Sequence, residues 1–291
     1  IFISQKMEML LPVPLTIFLK VARARSLSTN FQQNRLYSVF KMSKQAKWET
    51  EKAKILSLSL EEKRKLYKSD DYLIADKIDP WSVYFVRNEG VKDKKHTEED
   101  LSEFRKIKID ADKNKELIDK VSIFKGDITK LEIDAIVNAA NSRLKAGGGV
   151  DGAIHRAAGP LLQAECDTLG GCPTGEARIT GGYNLPAKYV IHTVGPQNGS
   201  APNLQSCYEK SFECLNQLQL QSIAFPCIST GIYGFPNRLA AHIALRTARK
   251  FLENNKKIEK VVFCTFMPID VDIYETLMQM YFPIHEKNYN P

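Results

Sequence analysis

Residues Gly126 to Pro160 read GDITKLEIDAIVNAANSRLKAGGGVDGAIHRAAGP, and the order of strand, amide, glycine and helix signals within them decides the fold. Ala135-Ile136-Val137 is a short apolar run of the kind that forms a buried strand. Asn138 and Asn141, three residues apart, break it where a continuing strand would favour β-branched residues. Gly147, Gly148 and Gly149 follow; without Cβ atoms they open φ > 0 and let a backbone come close to a ligand. Val150 to Ala158 then has helical spacing, which puts Asp151 and His155, four residues apart, on one face. A strand end, a polar break, a glycine loop and a helix start direct backbone N–H groups at one point and so make an anion cradle.

Working outward, strands are expected at Val121 to Phe124, Ala135 to Asn138, Ala177 to Thr180, Tyr189 to Val194, Ser222 to Pro226 and Val261 to Phe266. Helices are expected at Val150 to Ala158, Leu204 to Leu218, Asn237 to Glu253 and Val271 to Met280. Strands alternating with helices of these lengths predict an α/β fold with a mostly parallel sheet and helices on both faces. Ligands of such sheets sit beyond the carboxyl ends of the strands, where Asn138, the triple glycine and Ser229 to Gly231 all fall. Ser229-Thr230-Gly231-Ile232-Tyr233-Gly234 precedes a helix, so its amides can face the first loop across a groove; a plain βα turn would give the same local signal. Gly147 to Gly152 also satisfies GxGxxG. A dinucleotide fold is disfavoured, because eight residues separate the motif from the strand end and no acid follows at the expected distance.

A chain of 291 residues with 43% hydrophobic content can bury one α/β core with length to spare, so one domain with flanks is expected. Of the net charge of +7, Lys6, Lys20, Arg23, Arg25, Arg35 and Lys41 against Glu8 place +5 in the first 41 residues. The remaining +2 is too little to argue for a nucleic-acid surface. Six cysteines without a CxxC pair point to free thiols in a reducing compartment and not to zinc. No apolar run approaches the ~20 residues of a membrane span. Residues 7–41, rich in Arg and Ser and poor in acids, read as a mitochondrial transit peptide with a cleavage site near Arg35-Leu-Tyr-Ser38. The alternative is translation from Met42 and a protein of the cytoplasm or nucleus. Residues 42–120 are expected as a charged helical extension, with a helix from Trp48 to Tyr67 restarted by a capping box at Ser59-Leu-Glu-Glu62, then a solvated, partly helical linker from Arg87 to Lys120. The folded domain is expected over 121–283, with a short tail at 284–291.

The order NAAN, GGGVDG, His closely resembles the macro domain, and within it the MacroD-type ADP-ribose hydrolases. The resemblance extends from about Val121 to Phe282 and is carried also by Gly126-Asp127-Ile128-Thr129, by Ala187 to Gly195 (AKYVIHTVG) and by Phe225 to Pro236 (FPCISTGIYGFP). It implies a three-layer α/β/α sandwich with a mixed, mostly parallel sheet, preceded here by the helical extension. It implies removal of mono-ADP-ribose from acidic side chains of proteins and deacetylation of O-acetyl-ADP-ribose by a positioned water, with no cofactor, metal or covalent intermediate. A reader of ADP-ribose without turnover would use the same groove. The partners implied are ADP-ribose, ADP-ribosylated proteins and O-acetyl-ADP-ribose; neither membrane nor nucleic acid is expected, and the chain is expected as a monomer.

By the same resemblance Asp127 accepts a hydrogen bond from the adenine amine, a task suited to an acceptor-only group, although it could merely cap a turn. Ile128 lies beneath the ring and Phe266 above it, unless Phe266 is core. Asn138, Gly147 to Gly149, Val150, Ser229, Thr230, Gly231 and Ile232 contact the ligand, and Tyr233 packs on the distal ribose or in the core. Asn141 donates to a sugar hydroxyl, Asp151 holds or deprotonates a water, and His155 orients Asp151 or is simply a helix histidine. His192 reads as structural. Cys227 and Ser229 lack the partners of a nucleophile. Three departures stand out. Lys145-Ala146 replaces an apolar residue and a fourth glycine, which would tighten or stiffen the catalytic loop; the segment from Gly195 to Leu204 is short; and Arg238 replaces a common acid.

Overall fold

The computed structural model describes residues 47–68 and 70–284, so the expected leader at 1–41 and nearly all of the expected tail lie outside the described residues. Helix α1 spans 47–57 and α2 spans Leu60–Arg64. The break between them is the expected capping box: the Ser59 hydroxyl accepts from the Glu62 backbone N–H while the Glu62 carboxylate accepts from that of Ser59. There follow β1 (Leu73–Ile74), α3 (Trp81–Arg87), α4 (Glu98–Phe104), α5 (Asn114–Lys120), β2 (Val121–Lys125), β3 (Leu131–Glu132) and β4 (Ala135–Ala139). Next come α6 (Gly149–Ala158), α7 (Pro160–Cys166), β5 (Ala177–Gly181), β6 (Tyr189–Thr193), α8 (Ala201–Gln217) and β7 (Ser222–Phe225). The chain closes with α9 (Asn237–Glu253), β8 (Lys260–Thr265) and α10 (Pro268–Tyr281).

Six strands form one sheet in the order β2-β8-β7-β4-β6-β5, parallel throughout except for β5, which runs antiparallel on the edge. Side chains alternate between the two faces, as a strand period of two requires. Val137 of β4, Ile191 of β6, Phe225 of β7 and Phe263 of β8 join one apolar core, under α8, α9 and α10. Their neighbours Ile136, Val190, Ala224 and Val262 join a second, which includes Ile154 of α6 and Leu162 of α7. Two cores on one sheet are the α/β/α sandwich. Apolar periodicity placed the six expected strands and four expected helices of the core to within three residues, and did not foresee α7 or the short β3. It missed the first turns of α8 and α10, which rest on the Ser200 cap and on early prolines and not on a buried face.

The segment from Arg87 to Lys120, expected as a solvated linker, is instead packed against the core. Val91, Phe104 and Leu117 are buried with Trp81 and Phe85 in the cluster beneath α9 and α10, and the Trp81 indole N–H donates to the Phe282 carbonyl (2.9 Å). Most of its charges stay at the surface, but Asp100 is turned inward. Asp100, fully buried, accepts from both Nε and Nη2 of Arg238 at 2.6 Å, from His242 Nε2 at 3.0 Å and from the Thr97 backbone N–H at 2.7 Å. Composition misled because long polar stems and paired charges can cover an apolar surface as well as solvate a linker.

Candidate active site

Loops at the carboxyl ends of β4, β6 and β7 enclose a groove of about 300 Å³. Asn141 and Gly147 to Asp151 form one wall, Gly231 to Tyr233 the other, and Gly195 and Ser229 the floor between them. Helix α6 starts at Gly149 with no side-chain cap, and Gly149 has φ +60°, so its first-turn amides are left to the groove. The two loops nearly meet: a Cβ on Gly148 would sit 3.6 Å from Ile232 Cδ1. Ile232 is otherwise 84% exposed.

Asp151 is 4% exposed and fixed at both oxygens. Asn138 Nδ2 donates to its Oδ1 (2.6 Å) and the Gly147 backbone N–H to its Oδ2 (2.6 Å). Asn138, expected against the ligand, is itself fully buried and lies behind Asp151. A strand residue pointing into the layer under α6 cannot also reach the groove. Its amide spends its second hydrogen on His192 Nδ1 (3.1 Å), which makes that nitrogen the acceptor and leaves Nε2–H to donate to Thr180 Oγ1 (2.9 Å). His192 is thus structural, as expected, and complete burial pushes its pKa down to about 3.

The hydrogen bond expected from His155 to Asp151 is not made. Nε2 stands 3.6 Å from Oδ1 and has no hydrogen-bond partner, and burial lowers the imidazole pKa against the pull of the Asp151 charge. One helical turn puts the two residues on one face, but leaves their side chains just beyond hydrogen-bond reach. Asn141 stands on the groove wall with its side chain closing its own loop: Nδ2 donates to the Lys145 carbonyl (2.5 Å) and Oδ1 accepts from the Lys145 N–H (3.2 Å).

The sheet also sets the adenine end implied by the resemblance. Lys125 and Thr265 are paired across β2 and β8, so Asp127 and Phe266 follow neighbouring strand ends. Asp127 Oδ1 accepts from the backbone N–H and hydroxyl of Thr129 (2.9 and 2.8 Å), which makes it a turn cap and leaves Oδ2 for an outside donor. Ile128 is buried at 3% exposure, whereas Phe266 is 78% exposed and no part of the core. In the facing loop Ser229 is held at φ +66° with its hydroxyl buried and unpartnered. Only glycine fits opposite it, since a Cβ on Gly195 would stand 1.9 Å from Ser229 Oγ. Thr230 turns inward and donates to the Cys227 carbonyl (3.1 Å).

The Macro domain family model matches residues 137–244, which hold the amide pair, both glycine loops and Asp151. The ADP-ribose glycohydrolase MACROD1 of Rattus norvegicus is 44% identical over 253 residues, covering 84% of this chain and 92% of its own length. The chain belongs to the macro domain family. The ADP-ribose glycohydrolase MACROD2 of Mus musculus is 48% identical over 248 residues; these cover 83% of this macro domain protein but only 50% of the relative, so the chain spans about half that relative's length. A Trypanosoma brucei macrodomain crystallised with ADP-ribose matches with a TM-score of 0.59 at 35% identity, over 77% of this chain and 88% of that one.

His155, Cys166 and His192 form the one group of described side chains whose potential metal-ligand atoms all fall within 4.8 Å of one another. Their present state is that of a packed core: the His192 ring is hydrogen-bonded at both nitrogens, and burial pushes the Cys166 thiol up to about 12, away from the thiolate that a metal would need. The part Asn138 plays is not legible in the sequence, because depth behind Asp151 depends on which face of β4 meets α6. Gly152 takes part in the same loop contact, since a Cβ there would stand 2.3 Å from the Gly147 carbonyl oxygen.

Proposed function

We propose that this macro domain protein is a hydrolase that binds ADP-ribose in the groove, removes mono-ADP-ribose from acidic side chains of proteins and also deacetylates O-acetyl-ADP-ribose. The observation that carries the proposal is Asp151, a nearly buried carboxylate at the groove wall fixed by two hydrogen bonds of 2.6 Å. Binding a diphosphate needs loop amides and helix starts; it does not need a second negative charge held in place beside them. Similar chains named ADP-ribose glycohydrolases, and a neighbour holding ADP-ribose, support the same reading.

In this reading Asp127 Oδ2 accepts from the adenine amine, with Ile128 below the ring and Phe266 above it. The start of α6 and the Ser229–Gly234 loop hold the diphosphate, and the distal ribose lies between Tyr233 and Asn141. Asp151 then holds a water against the anomeric carbon. The water oxygen bonds to that carbon as the bond to the acyl oxygen breaks; the protein carboxylate leaves with the electron pair, and Asp151 accepts the water's proton. Placement and the loop amides lower the barrier, so neither metal nor covalent intermediate enters the route. Burial raises the Cys227 thiol well above its ordinary value, and the Ser229 hydroxyl has no base beside it, which argues against a protein nucleophile.

Incubation with a glutamate-linked mono-ADP-ribosylated protein, following free ADP-ribose, tests the proposal. Tight binding without release would make the chain a reader. On the charge of residues 1–41 we also propose mitochondrial import and removal of that segment. Mass spectrometry finding an intact endogenous N-terminus upstream of Arg35 would count against it.

A further inference from the structure

We propose that Gln163, outside the groove on α7, is a positioning residue that holds the catalytic loop between Asn141 and Gly147 in its working conformation. The inference rests on the hydrolase reading for its kinetic consequence and on geometry alone for the hold itself.

Backbone hydrogen bonds fix the first half of the loop, Leu144 N–H to the Asn141 carbonyl and Cys172 N–H to the Ser142 carbonyl (both 2.9 Å), and beyond them its backbone groups are met by side chains. Asn141 takes the N–H and the carbonyl of Lys145, and Asp151 takes the N–H of Gly147. Gln163 supplies the link between them: its Oε1 accepts from the Ala146 N–H (2.8 Å), and its Nε2 donates to the Leu144 carbonyl (3.0 Å). One side-chain amide thus grips the backbone on both sides of Lys145. The second hydrogen of Nε2 goes to Asp167 Oδ1 (2.7 Å), one helical turn along, and Asp167 also pairs with Lys145 Nζ (2.6 Å). Leu144, with φ +53° and its side chain fully buried, anchors the base of the loop. The ion pair is half exposed and adds little by itself. The amide, with three hydrogen bonds, is the part of the staple that sets where Ala146 and Gly147 stand, and therefore where Gly147 meets Asp151.

The test uses the full chain and two variants. Gln163→Ala should raise the hydrogen-exchange rates of the Ala146 and Gly147 amides by at least tenfold and leave ADP-ribose affinity within about twofold. On glutamate-linked substrate it should lower kcat about tenfold with KM little changed, the scale of one or two net hydrogen bonds. Gln163→Glu keeps the acceptor but loses the donors and faces Asp167 with a second carboxylate. Its kcat relative to wild type should therefore recover as pH falls toward 5 and the introduced carboxyl takes a proton, which a merely structural lesion would not show. Unchanged exchange at both amides in Gln163→Ala overturns the proposal. So does an active wild type whose kcat is untouched by Gln163→Ala, or a Gln163→Glu deficit that stays flat with pH. A wild type that binds ADP-ribose but releases none removes the hydrolase reading, while exchange still decides whether Gln163 holds the loop.

Discussion

At the scale of single residues, Asp151 and Asp127 divide the work between turnover and affinity. Asp151 is fixed by Asn138 and Gly147, and the nearest described titratable group, the His155 ring 3.6 Å from its Oδ1, is made a weaker base by burial. If the carboxylate acts on the water, Asp151→Ala should cost about 10²-fold or more in kcat, the scale of a positioned acid–base group, and far less in ADP-ribose affinity. His155→Ala should be milder. A stopped assay alongside calorimetry checks both, and an Asp151→Ala enzyme with full turnover would leave activation of the water to the substrate's own phosphate. Asp127 has the converse profile. With one oxygen committed to Thr129 and the other open, Asp127→Ala should weaken ADP-ribose binding by roughly 1.5–3 kcal/mol, the scale of a hydrogen bond to a charged group. Unchanged affinity in a folded variant would remove it from adenine recognition.

At the scale of elements, the site is the junction of one helix start and two loops, and its tolerances are set by backbone contact. The carbonyl of Gly147 lies against Gly152 on α6, where an added Cβ would stand 2.3 Å away. Real Cβ atoms do not approach backbone oxygen so closely, so Gly152→Ala should push the glycine loop off α6 and part the Gly147 N–H from Asp151. The expected result is loss of both turnover and ADP-ribose affinity with the fold retained; affinity within about twofold of wild type would show that the loop does not depend on this contact. The fold itself was readable in the sequence, because strands such as Ile136-Val137 and Val261 to Cys264 carry apolar residues on both faces. So were the groove walls, where the glycines and Asp151 follow a strand end. What could not be read is depth. Asn138 and Asn141 look alike in NAAN, but one points beneath α6 and the other onto the groove wall. That difference comes from the phase of β4 against a helix that begins ten residues further on.

At the scale of the whole molecule, buried polar groups of the sheet and the packing of the described extension before Val121 each carry a prediction about stability. Stability should fall in acid. His192 protonates near pH 6.5 when unfolded but only near 3 when folded, so its contribution is complete above 6.5 and lost progressively as pH drops toward 3. Asp100, whose carboxyl Arg238, Thr97 and His242 hold below its ordinary range against the cost of burial, adds a loss of the same sign at lower pH. Urea midpoints that do not decline between pH 7.5 and 5 would contradict the His192 term. The second prediction concerns the boundary at Val121 suggested by the motifs. Trp81, Phe85, Phe104 and Leu117 are buried in the core beneath α9 and α10, and at roughly 1.5–3 kcal/mol each they rival the whole net stability of a domain, about 5–15 kcal/mol. A chain begun at Val121 should therefore fail to unfold cooperatively, whereas one begun at Met42 should do so. Asp100→Ala isolates the polar half of the same contact: it strands His242 and the partly buried Arg238 and should cost about 3 kcal/mol, the lower end for breaking a buried pair because Arg238 keeps some access to water. Asp100→Asn, which retains an acceptor but not the charge, should fall between that variant and wild type. If the Val121 chain unfolds cooperatively with the stability of the longer one, α3 to α5 are an appendage, and the four buried side chains contribute nothing that the sheet and its helices do not already supply.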